Sequence, residues 1–261
     1  MSPRIRPAAV AGLFYPAHPA ALTALVDRLV AAASPAGPPP RALIVPHAGY
    51  DYSGPVAGAA YARIAARRGG VARVVVMGPA HRVSLRGAAV SGADAFATPL
   101  GPVALDDDLR RRALAAGVAV HDAAHADEHA IEVQLPFVQR VLGAVRVLPL
   151  VVGDSTTAEV AAVLDALWDA PETLVVVSSD LSHYLDHTTA TTRDRRTAAA
   201  IVACMPERVS DDDACGAGPI RGLISLARRR GLEVRLLDLR TSADTAGDPD
   251  RVVGYGAFTV G

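Results

Sequence analysis

The sequence is poor in cysteine, with only Cys204 and Cys215 among 261 residues. Apolar residues make up 51% of the chain. That content is ample for a hydrophobic core without the disulfide framework on which small secreted domains depend. We therefore expect both thiols to be reduced, as is usual in a cytoplasmic protein.

Lysine and asparagine are absent, and the net charge is −1. Arginines and carboxylates are dispersed and form no basic stripe, which argues against a nucleic-acid partner. Long apolar runs are also lacking, since the longest stop well short of the ~20 residues that a membrane helix requires. No hydrophobic segment follows Arg4 and Arg6, so we expect neither a secretory signal nor a membrane association.

The chain does contain a regular alternation of short apolar runs and segments with helical spacing. The predicted buried strands are 41–46, 71–77, 145–152, 174–178, 234–239 and 252–260. The predicted helices are 19–33, 55–68, 106–116, 131–142, 157–168, 189–203 and 220–230. This alternation predicts an α/β protein built as a three-layer α/β/α sandwich.

Two short pieces, 87–92 and 98–104, are bounded by turn residues and fit small antiparallel strands. The sheet is therefore predicted to be mixed but largely parallel. Because the chain has no internal repeat and no shift in composition, residues 1–261 are predicted to form a single domain.

Three of the predicted strands end in polar residues. One leads into His47, a second into His81, and a third into Asp180 and His183. Sheets of this class place their chemistry outside the carboxyl ends of their strands, so these side chains are expected to share one crevice. Imidazoles suit Fe, Zn, Cu or Ni, and two imidazoles with one anionic ligand and open positions are typical of a reactive metal site.

Asp180 and His183 are three residues apart and are predicted to lie on one face of a first helical turn. The pair suits proton transfer, because histidine titrates near neutrality and a neighbouring carboxylate would orient it. Asp180 is equally compatible with a place among the metal ligands, so both roles stay open.

A second group of histidines recurs every fourth residue at His121, His125 and His129, and Glu132 follows. The surrounding residues predict a loop that leads into a helix starting near Asp127, which takes His121 out of register. His125 fits a polar helix start. His129 and Glu132 form an i, i+3 pair that is predicted to line the pocket wall.

Other catalytic signatures are missing. The chain has no Gly-x-Ser-x-Gly elbow, and Ser178-Ser179 lacks the glycines that the strained nucleophile turn requires. The segment GYDYSGPVAG has neither Walker nor dinucleotide-binding spacing. A serine hydrolase and a nucleotide-phosphate site are therefore disfavoured.

Five motifs in order, VPHAGYDYSG, GPAHR, DEHAIEVQLPF, SSDLSHY and ACGAGPI, resemble those of the Memo family. Its prokaryotic members are called AmmeMemoRadiSam system protein B. The resemblance extends from GLFYP at 12–16 to the terminal GYGAF. It implies a fold similar to that of LigB-type class III extradiol dioxygenases, which are non-haem Fe(II) enzymes with two histidines and a glutamate as ligands. It also implies a small-molecule substrate of unknown identity and partner proteins from the AmmeMemoRadiSam system.

By this resemblance, His47 and His81 correspond to the ligand histidines, and Cys215 stands where the dioxygenases have their carboxylate. Asp180 and His183 match polar positions of the family pocket, with His183 near the place of a catalytic base. A thiolate keeps the −1 charge of a carboxylate but is softer, which shifts preference toward Fe(II), Cu(I) or Zn. Fe(II) is the expected divalent metal, with copper or zinc as alternatives.

Phe14 and Tyr50 complete the predicted pocket wall. Some Memo proteins carry tryptophan where this chain has Phe14, so an aromatic platform is retained without an indole N–H. The favoured function is a metal-dependent redox enzyme or dioxygenase-like oxygenase in which His183 shuttles a proton and Asp180 orients it. The alternatives are a non-catalytic metal- or peptide-binding module and a zinc-dependent hydrolase with the same ligands.

Overall fold

A nine-stranded mixed sheet forms the centre of the computed structural model, which describes residues 3–261. The strands of this sheet and of a small second sheet are β1 (Ile5–Arg6), β2 (Ala42–Val45), β3 (Arg73–Pro79), β4 (Ala88–Val90), β5 (Ala95–Phe96), β6 (Val103–Ala104), β7 (Ala119–Val120), β8 (Arg146–Val152), β9 (Thr173–Ser178), β10 (His183–Leu185), β11 (Val234–Thr241) and β12 (Val252–Val260). The helices are α1 (Pro19–Ala31), α2 (Tyr50–Ala62), α3 (Asp107–Ala115), α4 (Asp122–Ala126), α5 (Leu135–Leu142), α6 (Thr157–Leu167), α7 (His187–Val202) and α8 (Ala217–Arg230).

The strands of the large sheet follow the order β10-β12-β2-β9-β3-β8-β4-β7, and β11 pairs with β12. Strands β2, β9, β3 and β8 are parallel, whereas β12 is antiparallel to β2 and β4 is antiparallel to β8. The small sheet has the order β1-β5-β6. The prediction of an α/β fold with a mixed, largely parallel sheet between helices is confirmed.

Two apolar cores cover the faces of the large sheet, because successive residues of a strand point to opposite sides. In β2, Leu43 and Val45 belong to one core, and Ala42 and Ile44 belong to the other. Helices α1, α2 and α5 close the first core, whereas α3, α6, α7 and α8 close the second. The central strands are apolar at nearly every position, as strands buried on both faces must be.

The helix that was expected near Asp127 is absent from this part of the described chain. Instead, α4 ends at Ala126, and the imidazole of His121 caps its start by accepting a hydrogen bond from the Ala124 N–H at 3.1 Å. The predicted helix 131–142 is a 3₁₀ turn followed by α5. Pro136 explains that boundary, since proline lacks an N–H and is tolerated only in the first turn of a helix.

The second helix also differs from its prediction of 55–68. It begins at Tyr50 and ends at Ala62, so that its first turn follows His47 almost at once. Pro55 therefore lies inside the helix rather than at its start. Between residues 3 and 261, no helix is both long and apolar enough to cross a bilayer.

Candidate metal centre

Three neighbouring parallel strands deliver the central polar residues of the site. The order β2-β9-β3 places the ends of these strands side by side, and His47, Asp180 and His81 follow them. Adjacent strands are about 4.8 Å apart, so side chains beyond their carboxyl ends are brought within contact distance. The imidazole centroids of His47 and His81 are 5.3 Å apart.

His129 joins these two histidines from the segment between α4 and α5. Its ring lies 4.7 Å from that of His81 in a stacked arrangement and 5.4 Å from that of His47. Each of the three imidazoles offers one nitrogen, and these atoms all lie within 4.8 Å of one another. His47 is buried, His129 is half-buried and His81 reaches solvent, so the three form a metal-sized cluster that is open on one side.

The hydrogen bonds of Ser178 set the tautomer of His47. The Ser178 hydroxyl donates its proton to the Ala130 carbonyl at 2.6 Å and accepts a bond from the Gln134 amide at 2.8 Å. The His47 Nδ1 lies 3.0 Å from the same oxygen and therefore has to donate to it, because a hydroxyl carries only one proton. This leaves the Nε2 lone pair of His47 free for a metal.

Gln134 is held firmly in this network. Its amide nitrogen also donates to the Pro46 carbonyl at 2.9 Å, and its carbonyl oxygen accepts from the Tyr61 hydroxyl at 3.0 Å. Both Gln134 and Ser178 are fully buried. The sequence predicted no role at the site for either residue. Ser178 was considered only as a hydrolase nucleophile, and Gln134 only as part of the DEHAIEVQLPF motif.

His47 and His129 are kept uncharged by their surroundings. Burial, with the proximity of His81 as a second cause, lowers the pKa of His47 to about 3. Burial, with the proximity of His47, lowers the pKa of His129 to about 4. The Nδ1 of His129 is moreover a buried atom without a hydrogen-bond partner. Neutral imidazole is the form that binds metals, so the donor set fits a divalent ion.

Cys215 lies at the edge of this cluster, just before α8. Its Sγ is 3.3 Å from the Nε2 of His47 and 3.7 Å from the carbonyl oxygen of Asp180. Two tetrahedral ligands with metal bonds of about 2.0 and 2.3 Å are about 3.5 Å apart, so the spacing suits a shared metal. Burial and the nearby Asp180 carboxylate raise the pKa of Cys215 to about 12, so the metal-free thiol keeps its proton.

Asp180 and His183 line the same cavity, although not on a helical turn as predicted. His183 belongs to strand β10, and the residues before it are not helical. Asp180 is buried, and its Oδ1 accepts a hydrogen bond from the His47 backbone N–H at 2.7 Å. Burial raises the pKa of this carboxyl. The hydrogen bond from His47 and the attraction of His183 act to lower the pKa but offset the effect of burial only in part.

The cluster lies in a cavity of about 790 Å³, a size that suits a small organic molecule. Its mouth carries Leu13 and Tyr184, whose residues are 81% and 63% exposed. The residues that line it are Leu13, Phe14, His47, Ala48, Gly49, Tyr52, His81, His129, Asp180, His183, Tyr184, Cys215, Ser242, Gly247, Asp248, Arg251, Val253 and Tyr255.

Two of the four residues predicted for the pocket wall lie elsewhere. Phe14 and His129 do line the cavity, and their rings are 4.9 Å apart. Tyr50 is buried beneath the site, where its hydroxyl donates to the Val133 carbonyl at 2.6 Å. Its phenol is needed to satisfy a buried backbone oxygen, so it cannot face the cavity.

Glu132, which was also predicted to line the pocket wall, lies outside the cavity lining. It is fully buried and accepts hydrogen bonds from the Ala9 N–H at 2.8 Å, the Val10 N–H at 3.0 Å and the Tyr15 hydroxyl at 2.5 Å. The guanidinium of Arg6 pairs with the same carboxylate. Glu132 therefore anchors the N-terminal segment that carries Phe14. The spacing from His129 could not have revealed this role, because the partners are more than 110 positions away.

Glu128, for which the sequence predicted no role, contacts the cluster directly. Its Oε2 accepts a hydrogen bond from the His81 backbone N–H at 2.7 Å, and its Oε1 lies 2.9 Å from the His81 Nδ1. The adjacent His125 is a different case, since it is buried away from the cavity lining with its Nε2 3.1 Å from the Ala89 carbonyl. The sequence feature that could have indicated a role for Glu128 is its position next to His129 in the DEHAIE motif.

The fold and the site thus define an α/β protein with a histidine-rich cluster in an open cavity. A family model described as Memo-like protein matches residues 6–259. Proteins described as MEMO1 family protein are similar along nearly the whole chain. The relative from Ignicoccus hospitalis is 36% identical over 97% of both chains, and that from Methanopyrus kandleri is 35% identical over 97% of this chain and 98% of its own.

The chain belongs to the Memo-like protein family, which confirms the resemblance seen in its motifs. Among solved structures, an uncharacterized protein from Escherichia coli K12 is similar with a TM-score of 0.54, covering 82% of this chain and 98% of that one. At 14% sequence identity that likeness shows the fold alone.

Proposed function

We propose that this protein holds a divalent metal at His47, His81 and His129 and uses it for redox chemistry on a small molecule. The observation that carries the proposal is the cluster of three imidazole nitrogens within 4.8 Å of one another at the floor of a cavity. Fe(II) is the expected ion, and copper or zinc could use the same donors. An Fe(II) ion held there would supply one-electron chemistry with dioxygen as in other non-haem iron sites with open positions.

Cys215 is proposed as the anionic donor of the site. The 3.3 Å separation from the His47 Nε2 supports this role, as does the carbonyl of Asp180 that keeps the sulfur near the cluster. The thiol would have to lose its proton to bind, because its pKa is raised to about 12 without metal. A soft thiolate beside imidazoles favours Fe(II), Cu(I) or Zn over harder ions.

His183 and Asp180 are proposed to manage protons. His183 lines the cavity, where its imidazole can exchange a proton with a bound ligand. Asp180 lies deeper, holds the His47 backbone through a 2.7 Å hydrogen bond and attracts the charge that His183 acquires. In this arrangement Asp180 stabilises the protonated form of His183 between transfers.

The proposed partner is a small organic molecule that enters through the mouth formed by Leu13 and Tyr184. Cavities of this size bury most of a small ligand against apolar walls, with a few polar groups to fix its orientation. Here the lining combines the polar groups of His47, Asp180 and Cys215 with the apolar or aromatic side chains of Phe14, Val253 and Tyr255. Proteins of the AmmeMemoRadiSam system are the proposed protein partners, and neither nucleic acid nor a membrane is expected.

Two observations favour second candidates. Three histidines with an open position are also a ligand set of catalytic zinc, where they lower the pKa of a bound water, so zinc-dependent hydrolysis is the first alternative. The exposed Leu13 and Tyr184 at the cavity mouth favour the second alternative, a non-catalytic module that binds a peptide over a metal-filled floor.

The deciding experiment is metal analysis of protein purified without oxygen, followed by oxygen consumption with candidate catechols or thiols. We expect near-stoichiometric iron and turnover that His47→Ala abolishes. Iron-free protein that contains zinc and hydrolyses test esters would favour the hydrolase. A metal-loaded protein with no turnover that captures peptides would favour the binding module.

A further inference from the structure

Glu128 is a buried carboxylate that contacts two of the three clustered histidines. Besides its two contacts with His81, its Oε1 lies 3.4 Å from the Nδ1 of His129 and accepts a hydrogen bond from the Ala130 N–H at 2.9 Å. We propose that Glu128 is a positioning residue that fixes the tautomer and the orientation of the His81 ring. This inference rests on the proposed metal site.

The tautomer follows from the hydrogen-bond inventory. A carboxylate only accepts, so the His81 Nδ1 at 2.9 Å from Oε1 has to carry the proton and donate it. The second ring nitrogen, Nε2, is then left with its lone pair for a metal. The backbone N–H of His81 binds the other oxygen at 2.7 Å, so the same carboxylate holds both the main chain and the ring of this residue.

This double anchor matters more for His81 than it would for His47. His47 follows a central strand and is fully enclosed, whereas the His81 side chain is 27% exposed and lies in a loop after β3. Packing alone therefore does not hold the His81 ring, and Glu128 supplies the missing restraint. Carboxylates that orient ligand histidines in this way typically change metal affinity by about 10–100-fold.

Glu128 is itself held firmly in place. Its side chain is 1% exposed, and its oxygens accept hydrogen bonds from the His81 ring, the His81 N–H and the Ala130 N–H. The carboxylate cannot turn away from the His81 ring without leaving buried backbone donors unsatisfied, which costs about 1–3 kcal/mol for each group.

Glu128→Gln tests the proposal because the amide cannot reproduce the carboxylate pattern. In either orientation, the N–H₂ group of the amide faces a donor whose hydrogen bond the carboxylate had accepted. If the amide nitrogen faces the His81 ring, it donates to Nδ1 and moves the proton to Nε2, which removes the lone pair that would bind metal. In the opposite orientation the N–H₂ group faces the His81 backbone N–H and the tautomer is kept, so we expect the variant to contain a population of His81 with the reversed tautomer.

The first measurement uses metal-free protein, in which nitrogen chemical shifts of the imidazoles distinguish the two tautomers. Wild type should show a protonated Nδ1 on His81 throughout, and Glu128→Gln should show a population with a protonated Nε2. The second measurement is affinity for Co(II), determined by competition with a chelator, which should fall about 10–100-fold in the variant. Glu128→Asp keeps the charge and should recover part of the affinity.

Glu132→Gln is the matched control. Glu132 is a buried glutamate in the same motif with donors on both oxygens, but it contacts the N-terminal segment and none of the three histidines. Its variant should lose thermal stability while keeping the Co(II) affinity and the His81 tautomer. Equal affinity losses in both variants, after correction for the folded fraction, would show a structural role and overturn the proposal.

The two readouts separate this proposal from the metal site on which it rests. If wild type binds no Co(II), the metal site fails, and the His81 tautomers of wild type and variant still decide what Glu128 does. A wild-type His81 that is protonated on Nε2 overturns the proposal outright. So does a Glu128→Gln variant with the wild-type tautomer and the wild-type affinity.

Discussion

The Sγ of Cys215 and the Nε2 of His47 lie 3.3 Å apart although the two residues are 168 positions apart in the chain. The backbone after Cys215 makes this approach possible, because the Gly216 N–H donates to the Ser179 hydroxyl at 2.9 Å. A Cβ at position 216 would lie 2.7 Å from the Ser179 side chain. Glycine is thus required for the segment to pass close enough to bring the thiol to the cluster.

The first prediction concerns the proton of Cys215. If sulfur binds the metal, loading the protein near pH 7 should release one proton that Cys215→Ser does not release, because the pKa of the free thiol is about 12. Calorimetry in buffers of different ionisation enthalpy measures this number. A sulfur-to-metal absorption band with Co(II) should accompany it and vanish in the serine variant. Equal proton release from both proteins would remove Cys215 from the ligand set.

The second prediction separates His129 from His125. His129→Ala removes a nitrogen from the cluster and should weaken Co(II) binding by more than about tenfold. The reason is that losing a residue that only orients a metal ligand already lowers metal affinity by about 10–100-fold. His125→Ala removes an imidazole that is more deeply buried than that of His129 but lies outside the cavity lining. It should lower the thermal midpoint and leave the affinity unchanged. The reverse pattern would mean that His129 is only part of the wall.

The third prediction tests the Ser178 network. Ser178→Ala leaves the Ala130 carbonyl, the Gln134 amide and the His47 Nδ1 with one partner fewer. Leaving a buried polar group unsatisfied costs about 1–3 kcal/mol, so urea unfolding should show a loss of this size. His47 should also lose its fixed tautomer, which nitrogen chemical shifts of the metal-free protein report. Ser179→Ala, one residue away, is the comparison, because Ser179 contacts Cys215 instead of His47.

The fourth prediction is a pH dependence at Asp122, away from the site. Burial acts to raise the pKa of this carboxyl, but hydrogen bonds from the Gly92 N–H at 2.6 Å and the Ser91 hydroxyl at 3.0 Å outweigh it and lower the pKa. A lowered folded-state pKa stabilises the protein above the unfolded value of about 3.9, and that stabilisation is lost as the pH falls below it.

The difference in unfolding free energy between wild type and Asp122→Asn should therefore be present at pH 7 and shrink toward pH 3. Because the side chain is 55% exposed, the effect should be modest and should weaken in high salt. A constant difference across this range would show that the charge contributes nothing.

The sequence was most informative where function depends on local order along the chain. A polar residue directly after an apolar strand stays at the end of that strand in any parallel sheet, so His47, His81 and Asp180 could be grouped before their neighbours were known. The strands that carry them could also be predicted, because both faces of β2, β9 and β3 are buried and their residues are apolar at nearly every position.

Residues whose surroundings come from distant segments could not be assigned in this way. Glu128 and Glu132 are four positions apart and chemically identical, yet one contacts His81 and the other contacts Arg6. Only the path of the N-terminal segment separates their roles. Tyr50 likewise faces inward because α2 begins five residues earlier than its proline suggested, which turns the ring toward Phe137.

His47 and His81 follow the strands β2 and β3, with β9 between them, and this placement has a consequence for how quickly the protein can acquire its ion. Backbone hydrogen bonds between these strands form whether or not metal is present, so the donors have little conformational entropy left to lose on binding. Loading should then require only dehydration of the ion and displacement of one proton. We expect the metal-free protein to be fully folded, so that metal binding is not coupled to folding.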